Sequence, residues 1–299
     1  MDQDGLKMRL IKDIYKDNDK KRNIFSFEFF PPKNAEGEAK LFATIEELKS
    51  LAPDFISVTY GAGGSTRSKT KEWVTAIQDR YQITAMAHFT CVGSGREESY
   101  QIVKELYDSG VQNIMALRGD PPKGEVAFKP SVDGFRYAGE LISFLKEKLP
   151  NLSYGGGCYP EKHPEAISLD QDLLHLKMKQ DKGSDFFITQ LFFDNKVFKS
   201  FMDKCRAKGI NKPIIPGIMP ITQYSQIERF TQMAGCSFPR ELVSGIEQYK
   251  DDKEKLISFS IDFTVSQCRE LLRDLGAPGI HFYTLNQSMA TREILKKLK

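Results

Sequence analysis

Short apolar runs alternate with longer amphipathic segments along the whole chain. The runs are rich in β-branched and aromatic residues, which favour strands, whereas the segments between them repeat their apolar residues with the period of a helix. The eight runs span residues 23–30, 54–60, 83–90, 111–118, 152–159, 186–193, 212–219 and 279–285. This rhythm predicts eight βα units, with extra helical material between about 223 and 275 in the seventh connection.

The segment after the fifth run shows the helical pattern most fully. Ser168 and Gln171 have the spacing of a capping box, which marks a helix N-terminus. Leu169, Leu173 and Leu176 then form one apolar stripe, as expected for a helix that packs on a sheet.

Eight βα units predict an α/β fold, a single (βα)8 barrel over residues 23–299 preceded by a short N-terminal helical arm over residues 1–22. The competing architecture is a doubly wound open sheet that binds a nucleotide. No G-x-G-x-x-G follows the first strand and no Walker pattern occurs in the sequence. The barrel is therefore the favoured prediction.

Composition, net charge and cysteine spacing exclude several classes of protein. The chain has 299 residues, of which 40% are hydrophobic and 28% charged, and its net charge of +3 is too small to indicate nucleic acid or an anionic membrane as a partner. Its five cysteines are scattered without a CxxC pair, which indicates reduced thiols. No signal peptide or membrane-length apolar run is visible, so we expect a cytoplasmic protein.

Polar residues gather where the predicted strands end. In a (βα)8 barrel, the carboxyl ends of the strands carry the chemistry. The polar residues at these ends are Glu28, Thr59, Tyr60, His88, Arg118, Asp120, Tyr159, Gln190, Tyr283 and Asn286. Their concentration at one end of the strands predicts a shared site.

Glu28 lies within the phenylalanine-rich run "FSFEFF". Because side chains alternate along a strand, Phe25, Phe27 and Phe29 should face the helices while Glu28 faces the barrel mouth. Burial would raise the pKa of Glu28 and make it usable as a general acid near neutral pH. The alternative is a structural carboxylate paired with an Arg or Lys of the barrel.

Histidine usage points away from a metal site. His88 is interpreted as the only histidine inside a strand, and taken alone it fits a hydrogen-bonded core residue better than a catalyst. The four histidines show no metal-ligand spacing with cysteines or carboxylates, so we expect no metal.

Two further patterns leave alternatives open. The glycine-rich strand ends at 61–65 and 154–166 suit either a backbone close to a phosphate or ring, or tight turns. Asp172, His175 and Lys179 share one face of the helix after strand five, which is either solvated or turned toward a ligand. In the second case, the lysine could meet a diphosphate and the aspartate a ribose hydroxyl.

Nine motifs carry a resemblance to a known family. They are "SFEFFPPK", "SVTYGAGGS", "HFTC", "NIMALRGDPP", "YPEKHPEA", "DLLHLKMK", "ITQLFFD", "IIPGIMP" and "HFYTLN". In this order, from about residue 23 onward, the chain resembles methylenetetrahydrofolate reductase. The resemblance implies an FAD-dependent barrel that reduces 5,10-methylenetetrahydrofolate to 5-methyltetrahydrofolate for methionine synthesis, by ping-pong hydride transfer from NADH or NADPH. It also implies the stand-alone bacterial type of chain and a homo-oligomer.

The resemblance assigns roles by position. Glu28 would be the general acid that opens the folate's five-membered ring, and Asp120 would lie beside the flavin and the folate. FAD would be bound by Thr59, Tyr60, Ala62, His88, Arg118, Gly119, Asp120, Tyr137, Tyr159, His163, Ala166, Asp172, His175 and Lys179. The substrates would contact Glu28, Thr59, Asp120, Gln190, Gln226, Phe230 and Gln287.

The chain departs from the family pattern at two positions: Met178 replaces a basic residue of some bacterial members, and Gln287 replaces the usual arginine. Two alternatives to this function are another FAD-dependent barrel, such as a proline-oxidising dehydrogenase, and a flavin- or folate-binding paralogue without turnover. The presence of Glu28, Asp120 and Gln190 argues against the paralogue.

Overall fold

The computed structural model describes residues 8–18, 22–32, 34–60, 67–121, 124 and 128–299, excluding the side chains of 67, 68, 228 and 231–234. The described strands are β1 Ile24–Phe29, β2 Phe55–Val58, β3 Ala85–Thr90, β4 Asn113–Leu117, β5 Ser153–Cys158, β6 Phe186–Thr189, β7 Ile214–Ile215, β8 Gly217–Ile218 and β9 Gly279–Tyr283. Each of the eight predicted runs contains an observed strand.

Helices fill the connections. They are α1 Ile11–Asp17, α2 Ala35–Lys49, α3 Arg67–Tyr81, α4 Arg96–Asp108, α5 Ala138–Lys148, α6 Leu169–Asp181, α7 Asn195–Ala207, α8 Ser225–Ala234, α9 Arg240–Gln248, α10 Lys253–Arg273 and α11 Met289–Leu298. Helices α8, α9 and α10 are the extra material predicted in the seventh connection. Across the described ranges, none of the helices has the length and apolarity that crossing a membrane requires.

All strand pairs are parallel, in the order β7-β6-β5-β4-β3-β2-β1-β9-β8. The two ends of this order are consecutive in the chain, because β7 and β8 are separated only by Pro216. Proline has no N–H to donate, which interrupts the ladder there. The carbonyl of Pro216 still accepts a hydrogen bond from the N–H of His281 (3.0 Å). β7 and β8 thus act as one strand that closes an eight-stranded barrel, which confirms the predicted fold and excludes the open sheet.

Alternation along β1 separates the outer core from the barrel interior. Phe25, Phe27 and Phe29 are buried in the apolar layer between strands and helices, together with Leu41 and Ile45 of α2. Glu28 therefore faces the interior, as the sequence predicted.

Helix α1 covers the amino end of the barrel. Its Ile11, Ile14 and Tyr15 are buried against interior residues that include Phe55 and Phe186. The ring of Tyr15 lies 6.5 Å from that of Phe55 and 6.1 Å from that of Phe186. The interior at this end is consequently apolar and filled by side chains.

Glycines in β5 make room for aromatic rings of β6. A Cβ at Gly155 would lie 2.6 Å from the ring of Phe186, and one at Gly156 would lie 3.2 Å from the ring of Phe187. The sequence offered a tight turn or a nearby ligand as the reason for glycine here. For Gly155 and Gly156, the reason is the space that the two phenylalanine rings need. The second glycine-rich stretch, 61–65, lies outside the described residues.

A second, smaller apolar cluster lies at the carboxyl end of the barrel. It joins Phe193, which follows β6, to Ile221, Phe230 of α8, and Leu242 and Ile246 of α9. The seventh connection therefore has its own core, which places α8 and α9 next to the loop that follows β6.

Candidate active site

Glu28 is the buried carboxylate at the carboxyl end of β1, with 8% of its surface exposed. Its Oε2 lies 3.4 Å from Nε2 of His88 and 3.5 Å from Nε2 of His281. Nδ1 of His281 shares a hydrogen bond with Oγ of Ser26 (2.8 Å). Within the described part of the chain, no Lys or Arg lies within ion-pair distance of Glu28, so the alternative of a structural Arg or Lys pair is not supported.

His281 was missed as a site residue. The interpretation of His88 as the only strand histidine is wrong, because His281 lies in β9 and is fully buried. β9 pairs with β1 so that His281 lies opposite Ser26. The signal was present in the sequence, since His281 and Tyr283 occupy alternate positions of the run "GIHFYTL".

The predicted direction of the Glu28 pKa is wrong. Burial raises the pKa of Glu28, but the neighbouring His88 and the hydrogen bond from His281 together lower it below its ordinary value. The pKa of His88 is itself lowered, chiefly by burial. Glu28 is therefore a carboxylate near neutral pH.

Arg118 follows β4 and is held by a fork of two hydrogen bonds. Its Nη1 and Nη2 donate to the two carboxylate oxygens of Glu165, over 2.5 and 2.7 Å. The guanidinium also lies over the ring of Phe128, 5.4 Å from its centroid. Gly119 comes next with φ +87°, and a Cβ there would lie 2.5 Å from the side chain of Val92. Only glycine fits this turn, which directs the chain toward Asp120.

The loop after β5 is ordered by side chains that the sequence singled out. The N–H of His163 donates to Oδ2 of Asp172 (2.8 Å), and the N–H of Ala166 donates to the carbonyl of His163 (2.9 Å). The rings of Tyr159 and His163 meet edge to face at 4.7 Å. Burial, followed by the charges of Asp120 and Asp172, raises the pKa of Tyr159 to about 12.

The polar face of α6 is turned partly toward the strand ends. His175 stacks on Tyr137, with ring centroids 6.1 Å apart. Nζ of Lys179 donates to the carbonyl of Gly157 at the end of β5. Burial lowers the pKa of Lys179, against the opposing effects of Cys158 and Asp172. Met178, by contrast, is exposed, so Lys179 is the cation that α6 directs inward.

The strand ends of β2 and β3 hold the next residues of the predicted set. The N–H of Thr59 donates to the carbonyl of Phe29 (2.9 Å), which ties the ends of β1 and β2 together. Tyr60 meets Phe89 edge to face at 5.5 Å. Ala62 lies outside the described residues.

The residues predicted to contact substrate have structural contacts of their own. Oε1 of Gln190 accepts from the N–H of Leu191 (2.9 Å), and Oε1 of Gln226 accepts from the N–H of Thr222 (2.7 Å) at the start of α8. Phe230 is buried in the small cluster under α8 and α9. Asp120 and Gln287 are exposed.

Tyr283 and Asn286 hold the carboxyl end of the barrel together. The hydroxyl of Tyr283 donates to the carbonyl of Thr189 (2.6 Å). The amide of Asn286 exchanges two hydrogen bonds with the backbone of Phe30, over 2.8 and 2.9 Å. These two strand-end residues therefore stabilise the frame of the site. In the described ranges, no group of three or more His, Cys, Asp or Glu side chains could hold a metal ion.

Sequence comparison with known proteins shows the family to which the chain belongs. The family model for methylenetetrahydrofolate reductase matches residues 13–299. Methylenetetrahydrofolate reductase (NADH) 1 of Arabidopsis thaliana is 36% identical over 303 aligned positions, covering 97% of this chain and 51% of that protein. The chain thus spans about half the length of the plant and yeast relatives that it matches. The 5,10-methylenetetrahydrofolate reductase of Escherichia coli is 38% identical over 263 positions, covering 88% of this chain and 86% of that protein.

Solved structures share the architecture at lower identity. A protein from Clostridium thermocellum, described as binding two copies of 5-methyl-5,6,7,8-tetrahydrofolic acid, superposes with a TM-score of 0.63 at 18% identity and covers 97% of this chain and 98% of its own. At that identity the likeness shows the fold alone. The family match and the bacterial relative carry the assignment, and the chain belongs to the methylenetetrahydrofolate reductase family.

Proposed function

We propose that this protein reduces 5,10-methylenetetrahydrofolate to 5-methyltetrahydrofolate with electrons from a reduced nicotinamide nucleotide, and that bound FAD carries the hydride. The observation that carries the proposal is Glu28, a buried carboxylate at the mouth of a barrel of this family, which contacts two imidazoles and no Lys or Arg among the described residues. A structural carboxylate in such a position would be expected to have a permanent cation as its partner.

The residues around the strand ends fit a flavin dinucleotide. Nε2 of His88 is buried and lies 3.4 Å from Glu28, but it forms no hydrogen bond with the described residues, so a donor or acceptor of a ligand would complete its contacts. Arg118 and Lys179 supply the positive charge that a diphosphate requires. His175 of α6 and Tyr137, which precedes α5, offer a stacked pair of rings for an aromatic base.

FAD, when bound, supplies the hydride-accepting and hydride-donating chemistry that no protein side chain offers. The protein provides the proton. The Glu28 carboxyl gives its proton to the ring nitrogen of the folate whose bond to the methylene carbon breaks, which leaves an iminium at the other nitrogen. The Glu28 carboxylate then faces the iminium cation. Hydride addition to the methylene carbon forms the methyl group.

This role requires Glu28 to be protonated when the folate is bound, although its pKa is lowered in the protein alone. The flat ring system of the folate, bound over the barrel mouth, would remove the remaining solvent from Glu28. Desolvation disfavours the charged form and raises a carboxyl pKa. We therefore expect the folate complex to bind one more proton than the protein and the ligand do separately.

Asp120, Gln190 and Gln226 are proposed to orient the two substrates in turn. Gln190 and Gln226 each use Oε1 for a backbone N–H, so their amide N–H groups remain available to a ligand acceptor. Asp120 is exposed beyond the turn at Gly119, where its charge can act on a ligand without the cost of burial. If both substrates use these residues, they bind one after the other, as in a ping-pong order.

The function is tested with the purified protein. Heat release followed by chromatography should identify the bound nucleotide as FAD. Under anaerobic conditions, NADH or NADPH should bleach the visible absorbance of the flavin, and methylenetetrahydrofolate should restore it with one equivalent of 5-methyltetrahydrofolate formed. Comparing the two nicotinamide nucleotides at equal concentration gives the preferred electron donor.

The same experiment separates the alternatives. Bleaching by proline, and not by a nicotinamide nucleotide, would favour a proline-oxidising barrel. A bound flavin that no donor bleaches would favour a binding protein without turnover. FMN in place of FAD, or no flavin after reconstitution, would contradict the proposed cofactor.

A cytoplasmic location and a homo-oligomeric assembly belong to the same proposal. The five cysteines are free and buried, which suits a reducing compartment. Native mass measurement tests the assembly, and cell fractionation tests the location.

A further inference from the structure

The loop after β5 contacts the extra helices of the seventh connection through Glu161. Both carboxylate oxygens of Glu161 lie 3.0 Å from the backbone N of Ser237, which connects α8 to α9. Glu161 stands two residues after Tyr159 and two before His163, both of which belong to the proposed flavin site. The loop proposed to bind the cofactor is thus joined to the helices proposed to bind the folate.

Two neighbouring contacts make Ser237 the centre of a small anchor, defined here as residues 236–238. The thiol of Cys236 donates to the carbonyl of Leu191 (3.2 Å). Phe238 stacks on Phe193, with ring centroids 4.5 Å apart and planes 21° from parallel. The anchor therefore contacts the loops after β5 and β6 within three consecutive residues.

The conformation of the cofactor loop directs Glu161 to this anchor. Lys162 has φ +87°, in the left-handed region that a non-glycine residue rarely adopts. Its Nζ donates to the carbonyl of Ala166 (2.9 Å), which holds the following residues in a closed turn. Burial, followed by the nearby charge of Glu161, raises the pKa of Cys236 to about 12, in agreement with a carboxylate that faces the anchor.

We propose that Glu161 is a positioning residue for folate binding: from the cofactor loop it fixes the 236–238 anchor, and thereby the place of α8 with Gln226 and Phe230. This inference rests on the proposed function. A carboxylate that accepts a backbone N–H forms a charge-assisted hydrogen bond, about twice as strong as a neutral one. Its loss should release the end of α8 and leave the barrel strands that carry Glu28 and His88 unchanged.

The test compares Glu161→Ala with Glu161→Gln in the FAD-loaded protein. The control is Glu247→Ala, which removes a carboxylate from an exposed position on α9. In Glu161→Ala, the Kd and KM for methylenetetrahydrofolate should rise about tenfold, equivalent to about 1.4 kcal/mol. Flavin bleaching by the nicotinamide nucleotide should stay within about twofold of wild type. Glu161→Gln keeps an oxygen acceptor and should recover the folate affinity to within about threefold. Glu247→Ala should match wild type.

A second readout does not depend on turnover. Hydrogen exchange measured by mass spectrometry on peptides spanning 225–240 should be faster in Glu161→Ala than in wild type, with peptides from β1 and β3 unchanged. Equal losses in the folate and nicotinamide steps, or loss of flavin, would show that Glu161 only supports the cofactor loop and would overturn the inference. Unchanged exchange over 225–240 would overturn it as well. A wild-type protein without turnover would contradict the proposed function, and the exchange rate would then decide whether the anchor exists.

Discussion

Each end of the barrel contains a buried carboxylate, and the two carboxylates differ in the charge of their partners. At the amino end, Asp54 precedes β2, and only 7% of its side chain is exposed. It pairs with Arg22 and accepts the N–H of Phe25 over 2.9 Å. At the carboxyl end, Glu28 is buried to a similar degree but has two imidazoles at 3.4 and 3.5 Å as its partners. The Asp54 carboxylate is paired with a permanent cation, whereas that of Glu28 is not.

The same contrast extends to the surrounding polar groups. At the amino end, the buried amide of Asn113 accepts the N–H of Ile11 (2.8 Å) and donates to the carbonyls of Arg9 and Ala85. At the carboxyl end, Nε2 of His88 is buried without a hydrogen bond to any residue that the structure describes. A satisfied amide such as that of Asn113 stabilises the fold, whereas an unsatisfied group such as Nε2 of His88 is expected where a ligand binds. The amino end also contains a buried hydroxyl, that of Tyr15, without a hydrogen bond to the described residues. The position of the strand ends, and not hydrogen bonding alone, therefore assigns the chemistry to the carboxyl end of the barrel.

The largest effect on the free energy of unfolding is expected at Asn113. Asn113→Leu keeps a similar volume but leaves the N–H of Ile11 and the carbonyls of Arg9 and Ala85 without their partner. Each stranded group costs about 1–3 kcal/mol, so the free energy of unfolding should fall by about 3 kcal/mol or more. Chemical denaturation measures it, and the flavin-dependent rates per folded molecule should not change.

Asn151→Leu, at an exposed turn, is the matched control and should alter stability by less than about 0.5 kcal/mol. An Asn113→Leu protein as stable as wild type would mean that α1 does not stabilise the amino end through this amide.

Substitution of Asp54 should lower the free energy of unfolding by a smaller amount. Asp54→Ala removes the acceptor of the Phe25 N–H and the partner of Arg22, which should cost about 2 kcal/mol, mostly from the stranded N–H because Arg22 is half exposed. Asp54→Asn keeps an acceptor and should cost about half as much. Thermal unfolding of both variants shows which of them is less stable. Equal losses of stability would mean that the hydrogen bond from the N–H of Phe25 contributes little.

The free energy of unfolding should fall with pH in two windows, one for His88 and one for Glu28. The folded pKa of His88 lies below 6.5, so the unfolded chain binds more protons beneath that value and stability falls as pH drops from 6.5. The folded pKa of Glu28 lies below 4.5, so its contribution is present above about 4.5 and is lost as pH falls through the folded pKa. Each pKa unit amounts to about 1.4 kcal/mol.

His88→Gln should flatten the stability profile between pH 6.5 and 5, measured by denaturation at fixed flavin concentration. A His88→Gln profile parallel to that of wild type would mean that His88 is not buried in its neutral form.

The barrel could be predicted from the sequence because its signals are local and repeated. Each of the eight strands lies inside a run of β-forming residues, and the alternation of "FSFEFF" gave the direction of Glu28. The capping spacing of Ser168 was also sufficient, since its side chain accepts the N–H of Gln171 at 3.2 Å. Closure through two short strands around Pro216 depends on contacts that no local pattern contains.

The sequence predicted the types of the site residues better than it predicted their pKa values. The sequence could place Glu28 in an apolar interior, but not beside His281, which is 253 residues away in the chain. The pKa of Glu28 is lowered by His88 and by that contact with His281, so the predicted direction was wrong. The pairing of Arg118 with Glu165 and that of Glu161 with Ser237 are long-range contacts of the same kind.

The most direct test of the account is stopped-flow measurement of both half-reactions in Glu28→Gln. Glutamine is nearly isosteric and keeps a hydrogen-bonding group toward the imidazoles, so the free energy of unfolding should stay within about 1 kcal/mol of wild type. Reoxidation of the flavin by methylenetetrahydrofolate should slow by about 10² to 10⁴, the usual worth of a general acid. Flavin bleaching by the nicotinamide nucleotide, which needs no proton from Glu28, should stay within about tenfold. A parallel fall in both rates would contradict the account and make Glu28 a structural residue like Asp54.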